Sequence, residues 1–331
     1  MIGKLLNTIL APLNFHLTKR SSMEQILGEL QTIQQQYQEM QRRDQDREET
    51  LLRLQQQEKE HYLRMLEYSM FSRWQTLDRL ESMAPYPRRE TCPLCGASLP
   101  KKLLEFKTQC IFKGGVLVRY QCPYCDVIFG PEKMLRLSTT ALSEEYQWHY
   151  TFSHESDCTE LEKQGFFELN PRRNGIYLNY GGGAWSHSTK ELRDAGWCVY
   201  NFEPYASASE EYVIRDRAQL ATMKFDGIFS HDLMEHLLDP IGELQFMASL
   251  LHPGGTMNHV TGCWEYLYEY TRFHLFFFLG RSRELLAQRA GLHFDGYARS
   301  GYYCRCMFSV PTVEMTDMVS ALNEATTTPA E

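Results

Sequence analysis

The sequence predicts an α/β fold in its C-terminal half, preceded by a four-cysteine ribbon and a long N-terminal helix. Three observations carry this. Strand-like and helix-like segments alternate from about residue 141, two C-x-x-C pairs lie upstream, and residues 21–83 contain no proline and one glycine, Gly28. Strand candidates are Ile176–Tyr180, Cys198–Phe202, Gly227–Ser230 and Thr256–Thr261, with helical patterns at Ser188–Ala195, Pro240–Leu251 and Ser282–Ala290. Such alternation implies a mainly parallel sheet covered on both faces.

A chain of 331 residues has room for two or three domains, and 43% hydrophobic residues suffice for a real core. The expected division is an amphipathic segment at 1–20, a coiled coil at 21–84, a ribbon at 88–136, the α/β domain at 141–310, and a tail at 311–331 that is disordered at its end. The net charge of −8 argues against a nucleic-acid partner, because phosphate neutralisation dominates such binding.

The long helix shows a seam. Met23, Ile26, Leu30, Ile33, Tyr37 and Met40 alternate steps of three and four, and the frame resumes at Leu51, Leu54 and Met65. Asp44, Arg47, Glu58 and His61 interrupt it, and after Met65 the better frame is Leu66, Met70, Trp74, Leu77. The pattern predicts self-association into a homo-oligomer; a long solvated helix folded back on its own domain is the other reading. Pro85 and Pro87 end the helix.

Of ten cysteines, four form the pairs Cys92/Cys95 and Cys122/Cys125, with 26 residues between Cys95 and Cys122. Each pair puts two thiolates on one tight turn, and two turns complete a tetrahedral site for a soft divalent metal. Lys113-Gly114-Gly115 reads as the tip of the intervening hairpin, giving a zinc ribbon. Four thiolates leave no open position, so the zinc is structural. The other six cysteines lack framework spacing, which suits a reducing, cytoplasmic setting.

No run reaches the roughly 18 apolar residues that span a bilayer. The opening MIGKLLNTILAPLNFHLTKR lacks a signal-peptide cleavage pattern. It reads either as a helix on a membrane's inner face, with Leu5, Leu6, Ile9 and Leu10 toward lipid, or as a short helix docked on the protein.

The candidate cofactor site begins at Ile176-Tyr-Leu-Asn-Tyr180-Gly181-Gly182-Gly183, a strand running into a glycine turn and then a helix. Glycines let a backbone approach a ligand, and a helix start offers N–H groups. Glu203 ends the next strand, twenty residues after Gly183, where a carboxylate can accept two ribose hydroxyls. Asp216, Phe225-Asp226, Ser230 and Leu250-Leu-His-Pro-Gly-Gly255 follow in order.

With these motifs in this order, residues 141–309 resemble the class I S-adenosylmethionine (SAM) methyltransferases. The resemblance implies a Rossmann-like, mostly parallel seven-stranded sheet and SAM as cofactor. It places Gly181 and Gly183 against the methionine part of SAM, Glu203 on the ribose and Asp216 near the adenine amine, with Tyr180, Gly182 and Ser230 also lining the site. Two positions depart from the family: Asn179 stands where an acid is usual, and Trp185 where a third glycine is usual.

His231-Asp232-Leu-Met-Glu235-His236 follows the fourth strand, at the sheet edge where open α/β folds bind ligands. An imidazole beside a carboxylate supplies a base; capping of the next helix is the plainer role for the same pair. The order of ribbon, Ser-Glu-Glu-x-x-x-x-Tyr connector and methyltransferase is similar to bacterial sugar methyltransferases, and the N-terminal segment to methyltransferases of surface-glycan clusters. This implies a nucleotide-activated sugar or glycan substrate, with Tyr150, Glu235 and His236 around the acceptor. Asp232, Glu235, His236 and the downstream His274 also resemble the metal set of RNA 3′-terminal ribose methyltransferases. A non-catalytic scaffold with a degenerate domain is the reading Asn179 and Trp185 favour.

Overall fold

The computed structural model describes residues 20–112, 114–150, 156–183, 186–205 and 210–311. The readings of 1–19, of Lys113, of Trp185 and of the tail beyond 311 lie outside them. The chain divides into two compact units, up to Leu66 and from Glu67.

Helix α1 spans Arg20–Met83. In the first unit the seam residues Leu30, Ile33, Tyr37, Met40, Leu51, Leu54 and Met65 are all exposed. In the second unit the same helix has a different task. Met70 and Trp74 are buried in the core and Leu77 packs against it. The Arg272 guanidinium lies 4.7 Å from the Trp74 ring, Lys133 pairs with Asp78 and Glu81, and Arg73 pairs with Glu145. The change of frame after Met65 is therefore a change of partner: Met70, Trp74 and Leu77 form a docking face on the body.

The ribbon strands β1 (Leu104–Gln109), β2 (Val116–Gln121) and β3 (Ile128–Phe129) pair antiparallel, the first two as the expected hairpin. Short α2 (Glu132–Leu135) and α3 (Thr139–Tyr150) lead to α4 (Thr159–Phe167). The α/β core then runs β4 (Ile176–Tyr180), α5 (His187–Asp194), β5 (Cys198–Phe202), β6 (Val213–Ile214), α6 (Arg217–Leu220), β7 (Phe225–His231), α7 (Pro240–Leu250) and β8 (Leu251–Val260). It closes with β9 (Phe276–Phe277), α8 (Ser282–Ala290), β10 (His293–Ser300) and β11 (Tyr303–Ser309).

Seven strands form one sheet in the order β10-β11-β8-β7-β4-β5-β6. From β6 to β8 the pairings are parallel; β11 runs antiparallel to both neighbours. This is the expected Rossmann-like fold. Successive strand residues face opposite sides, so Leu178 joins the core under α7 and α8, while Tyr177 joins Phe166 of α4 and Leu192 of α5 on the other face. The expected strands fell within a few residues of their observed bounds; β7 and β8 extend further because pairing continues past the apolar run.

The ribbon does not stand apart from this core. β9 pairs with β3 and completes a four-stranded ribbon sheet. Arg119 on β2 is fully buried and donates to the carbonyls of Glu269 (2.6 Å), Thr271 (2.7 Å) and His274 (3.0 Å). The backbone adds Ile111 N to Tyr270 O and Gly130 N to Leu275 O. The loop before β9 is thus shaped by the ribbon. Among the described residues no helix is long and apolar enough to cross a membrane.

Candidate functional site

The central strand β4 delivers the glycine turn to the carboxyl edge of the sheet. Gly181 and Gly183 have φ of +75° and +72°, the left-handed region glycine enters without a Cβ clash. Gly182 is needed for space: a Cβ there would lie 2.5 Å from Asn179 Nδ2 and 2.6 Å from Asn201 Oδ1. The turn is tied to the next strand by Gly181 N to Phe202 O (2.8 Å) and Asn201 Nδ2 to Gly183 O (3.2 Å). Glu203 follows immediately on β5, its Oε1 accepting from Tyr205 N at 3.1 Å. The glycine turn and Glu203 therefore stand side by side, as the spacing predicts.

The remaining cofactor-side residues are placed differently. Asp216 is exposed and caps α6, accepting from Ala218 N at 2.8 Å. Tyr180 is buried, and its hydroxyl donates to Glu243 and accepts from Arg217. Ser230 is also buried, with its Oγ 2.7 Å from His259 Nδ1. The side chains of Tyr180 and Ser230 are thus engaged by the fold.

Asn179 is fully buried beneath the turn, with Nδ2 donating to Glu162 Oε2 at 2.9 Å. Glu162 comes from α4, and sequence reading missed it: nothing in a short helix seventeen residues upstream marks one glutamate as belonging to a glycine turn. Burial pushes its carboxyl above the usual range, partly offset by the bonds from Ser188 and Asn179.

On the neighbouring strand β7 the chain turns at Asp232, held left-handed at φ +46°, and enters a 3₁₀ turn at Met234–His236. Leu233 touches the glycine turn, since a Cβ on Gly181 would lie 2.9 Å from it. Glu235 is fully buried; Oε1 accepts from Thr261 Oγ1 and Oε2 has no partner among the described residues. Burial, and then the charge of Asp232, pushes its carboxyl well above the usual range.

His236 Nδ1 faces the Phe273 carbonyl at 3.2 Å and the hydroxyl of Tyr146. A carbonyl only accepts, so the tautomer that satisfies Phe273 O carries its proton on Nδ1 and its lone pair on Nε2. The connector helix brings a second tyrosine to this place. Tyr146 is the phenol at His236, stacked on Phe273 at 4.3 Å, while Tyr150, one helical turn on, stacks on Tyr146 at 6.0 Å and is 45% exposed. Both tyrosines lie on one face of α3 at i, i+4, a spacing that could have flagged Tyr146.

His274 comes from the ribbon-held loop. Its Nδ1 donates to Tyr268 O at 2.8 Å, and burial pushes its pKa well below the usual value, so it is neutral at pH 7. Glu235, His236 and His274 each offer one ligand atom within 4.8 Å of the others. Asp232, the fourth residue of that expected set, instead pairs with His231 at 3.4 Å.

The four ribbon cysteines also converge, with Sγ separations of 3.7 Å for Cys92–Cys125 and for Cys95–Cys122. A tetrahedron with metal–sulfur bonds of about 2.3 Å has edges of about 3.8 Å. The bond from Cys125 draws the Cys92 thiol down to about 5, burial raises Cys122 to about 11, and Cys92 drives Cys125 upward.

Residues 148–294 match the family model described as a methyltransferase domain. Over that segment, a little under half of the chain, the protein is similar to methyltransferase domains. Solved structures similar to it include the calicheamicin-biosynthesis methyltransferase CalO1 in its SAH-bound form, with 12% identity, 51% of this chain and 58% of that chain covered, and a TM-score of 0.40. An O-methyltransferase family protein from Burkholderia thailandensis gives 13%, 56%, 64% and 0.36, and the neocarzinostatin-biosynthesis O-methyltransferase NcsB1 gives 13%, 52%, 58% and 0.38. The match spans about three fifths of the length of these chains. No curated protein matches the chain.

Proposed function

We propose that the methyltransferase domain transfers a methyl group from SAM to a hydroxyl of a sugar, in a nucleotide-activated form or on a surface glycan. The observation that carries this reading is the Tyr146–His236 pair beside a glycine turn shaped to admit a ligand. The donor set fits SAM: two buried amide oxygens beside the turn, Asn179 Oδ1 and Asn201 Oδ1, have no partner among the described residues. When bound, SAM supplies an electrophilic methyl group. Glu203 accepts the ribose hydroxyls, Phe273 O and Tyr146 fix the His236 ring, and Nε2 takes the proton of the attacking hydroxyl. Tyr150, half exposed on the same helix face, lines the approach of the sugar.

The four ribbon cysteines hold one structural zinc, whose charge stabilises their thiolates. The exposed seam of α1 before Glu67 pairs with a second copy, because an apolar stripe of this length gains from leaving water. The protein works in the cytoplasm, with residues 1–20 as its contact with the inner face of the membrane.

Calorimetric titration with SAM, paired with methyl transfer to a panel of nucleotide-sugars, tests the activity. A wild type that binds no SAM makes the domain a scaffold. Light scattering of the full chain and of a chain starting at Glu67 tests the pairing: equal monomer masses would sink it.

A second reading is favoured by one observation, the convergence of Glu235, His236 and His274 with a partnerless Glu235 Oε2. Two imidazoles and a carboxylate suit a divalent cation, as in a metal-dependent ribose methyltransferase. Elemental analysis of the wild type and of Glu235→Gln decides. One zinc per chain in both, with turnover insensitive to chelators, excludes it.

A further inference from the structure

The acceptors around the glycine turn outnumber their donors. Asn179 Oδ1 and Asn201 Oδ1 are buried without partners among the described residues, and both side chains press on Gly182. One amide away lies the Glu162 carboxylate. Its Oε2 takes Asn179 Nδ2 at 2.9 Å and the Ser188 hydroxyl. Among the described residues no lysine or arginine pairs with Glu162, and His231 is the base whose charge acts on it, whereas Lys163 beside it pairs with Glu160 and Glu191, both at 2.7 Å. A partly desolvated carboxylate and two orphan amide oxygens form a site for a group with several N–H donors and a positive charge. The helix that follows is not such a group, because its Ser186 cap already serves Thr189 N at 3.3 Å.

We infer that Glu162 binds the α-ammonium group at the amino-acid end of the cofactor, supplying from α4 the carboxylate that β4 lacks at Asn179. This rests on the SAM reading above and deepens it. Asn179 then acts as a bridge: its Nδ2 holds Glu162, and its Oδ1 is left to accept from the same ammonium. The adenosine end is held separately, by Glu203 on β5. The cofactor's two ends are thus recognised by two carboxylates from different elements.

The test compares two ligands that differ only in the amino-acid end, S-adenosylhomocysteine and 5′-methylthioadenosine, by calorimetry on the full chain. Glu162→Gln should weaken S-adenosylhomocysteine about 10- to 100-fold, the size of a lost charge-assisted bond. It should leave 5′-methylthioadenosine within about threefold, whereas a merely structural glutamate would weaken both equally through Asn179 and the turn. Equal losses, or no loss, overturn the assignment while the SAM reading stands. A wild type that binds neither ligand removes that reading, and this one with it. Should Glu162→Gln fail to fold, Glu162→Asp keeps the charge but retracts it, and should show the same ligand-selective loss in smaller measure. An analogue of S-adenosylhomocysteine without its amino group gives a check on the wild type itself. Binding as tight as the parent overturns the inference.

Discussion

In the proposed reading, the cofactor and acceptor halves of the site are built in opposite ways. The cofactor half comes from neighbouring segments: a glycine turn on β4, an acid on β5 and a helix start, all within residues 176–203. The acceptor half is assembled from four distant stretches, with Tyr146 on α3, Glu235 and His236 after β7, Phe273 and His274 in a loop, and Arg119 on the ribbon holding that loop. Local assembly is robust to changes elsewhere, because strand pairing fixes it. Long-range assembly depends on every element that carries it, including the four-cysteine ribbon.

Disrupting the ribbon is the largest way to separate the halves. Cys92→Ser should lose the zinc and more than about 4 kcal/mol of stability, since binding energy at such a site is folding energy. Elemental analysis and thermal unfolding check this, and a wild type free of zinc would remove its basis. Arg119→Met is the sharper cut. It leaves the carbonyls of Glu269, Thr271 and His274 short of a donor, at a cost of about 3 kcal/mol. Turnover should collapse while SAM affinity stays near wild type. Equal loss of both would show that the halves are not separable.

Single site residues divide the same way. His236→Ala should lower turnover about 10²-fold and leave SAM affinity nearly unchanged. Glu203→Ala should do the reverse, weakening SAM by about 1.5–3 kcal/mol, or ten- to a hundredfold. If His236→Ala turns over normally, the base lies elsewhere.

The smallest effect is one of pH. Burial lowers the His259 pKa to about 3, from an ordinary value of 6.5. Above pH 6.5 both states are neutral there and nothing is lost. Between 6.5 and 3 the unfolded chain binds a proton that the fold refuses, so stability falls as pH falls. The share from His259 is about 1 kcal/mol between pH 7 and 5.5. Urea unfolding at the two pH values should show this loss in wild type and less of it in His259→Gln.

The sequence by itself determined the elements whose signals are local. The strand–helix alternation follows from side-chain periodicity, the glycine turn from the conformations only glycine enters freely, and the convergence of the four cysteines from two thiols on each of two tight turns. Even the end of the seam was visible as a change of frame after Met65. Partners distant in the chain were not legible, because no periodicity or spacing encodes which side chain a fold brings to another. Tyr146 and Tyr150 are equivalent in pattern, and only the docking of α3 sets Tyr146 on His236. Glu162 is one of several glutamates in its stretch, and only the packing of α4 beside β4 puts it under the glycine turn. The ribbon read as a separate domain, yet β9 and the carbonyls gathered by Arg119 tie it to the loop that carries Phe273 and His274. Tertiary structure decided these because burial forces each enclosed polar group to find a partner, whatever its distance in sequence.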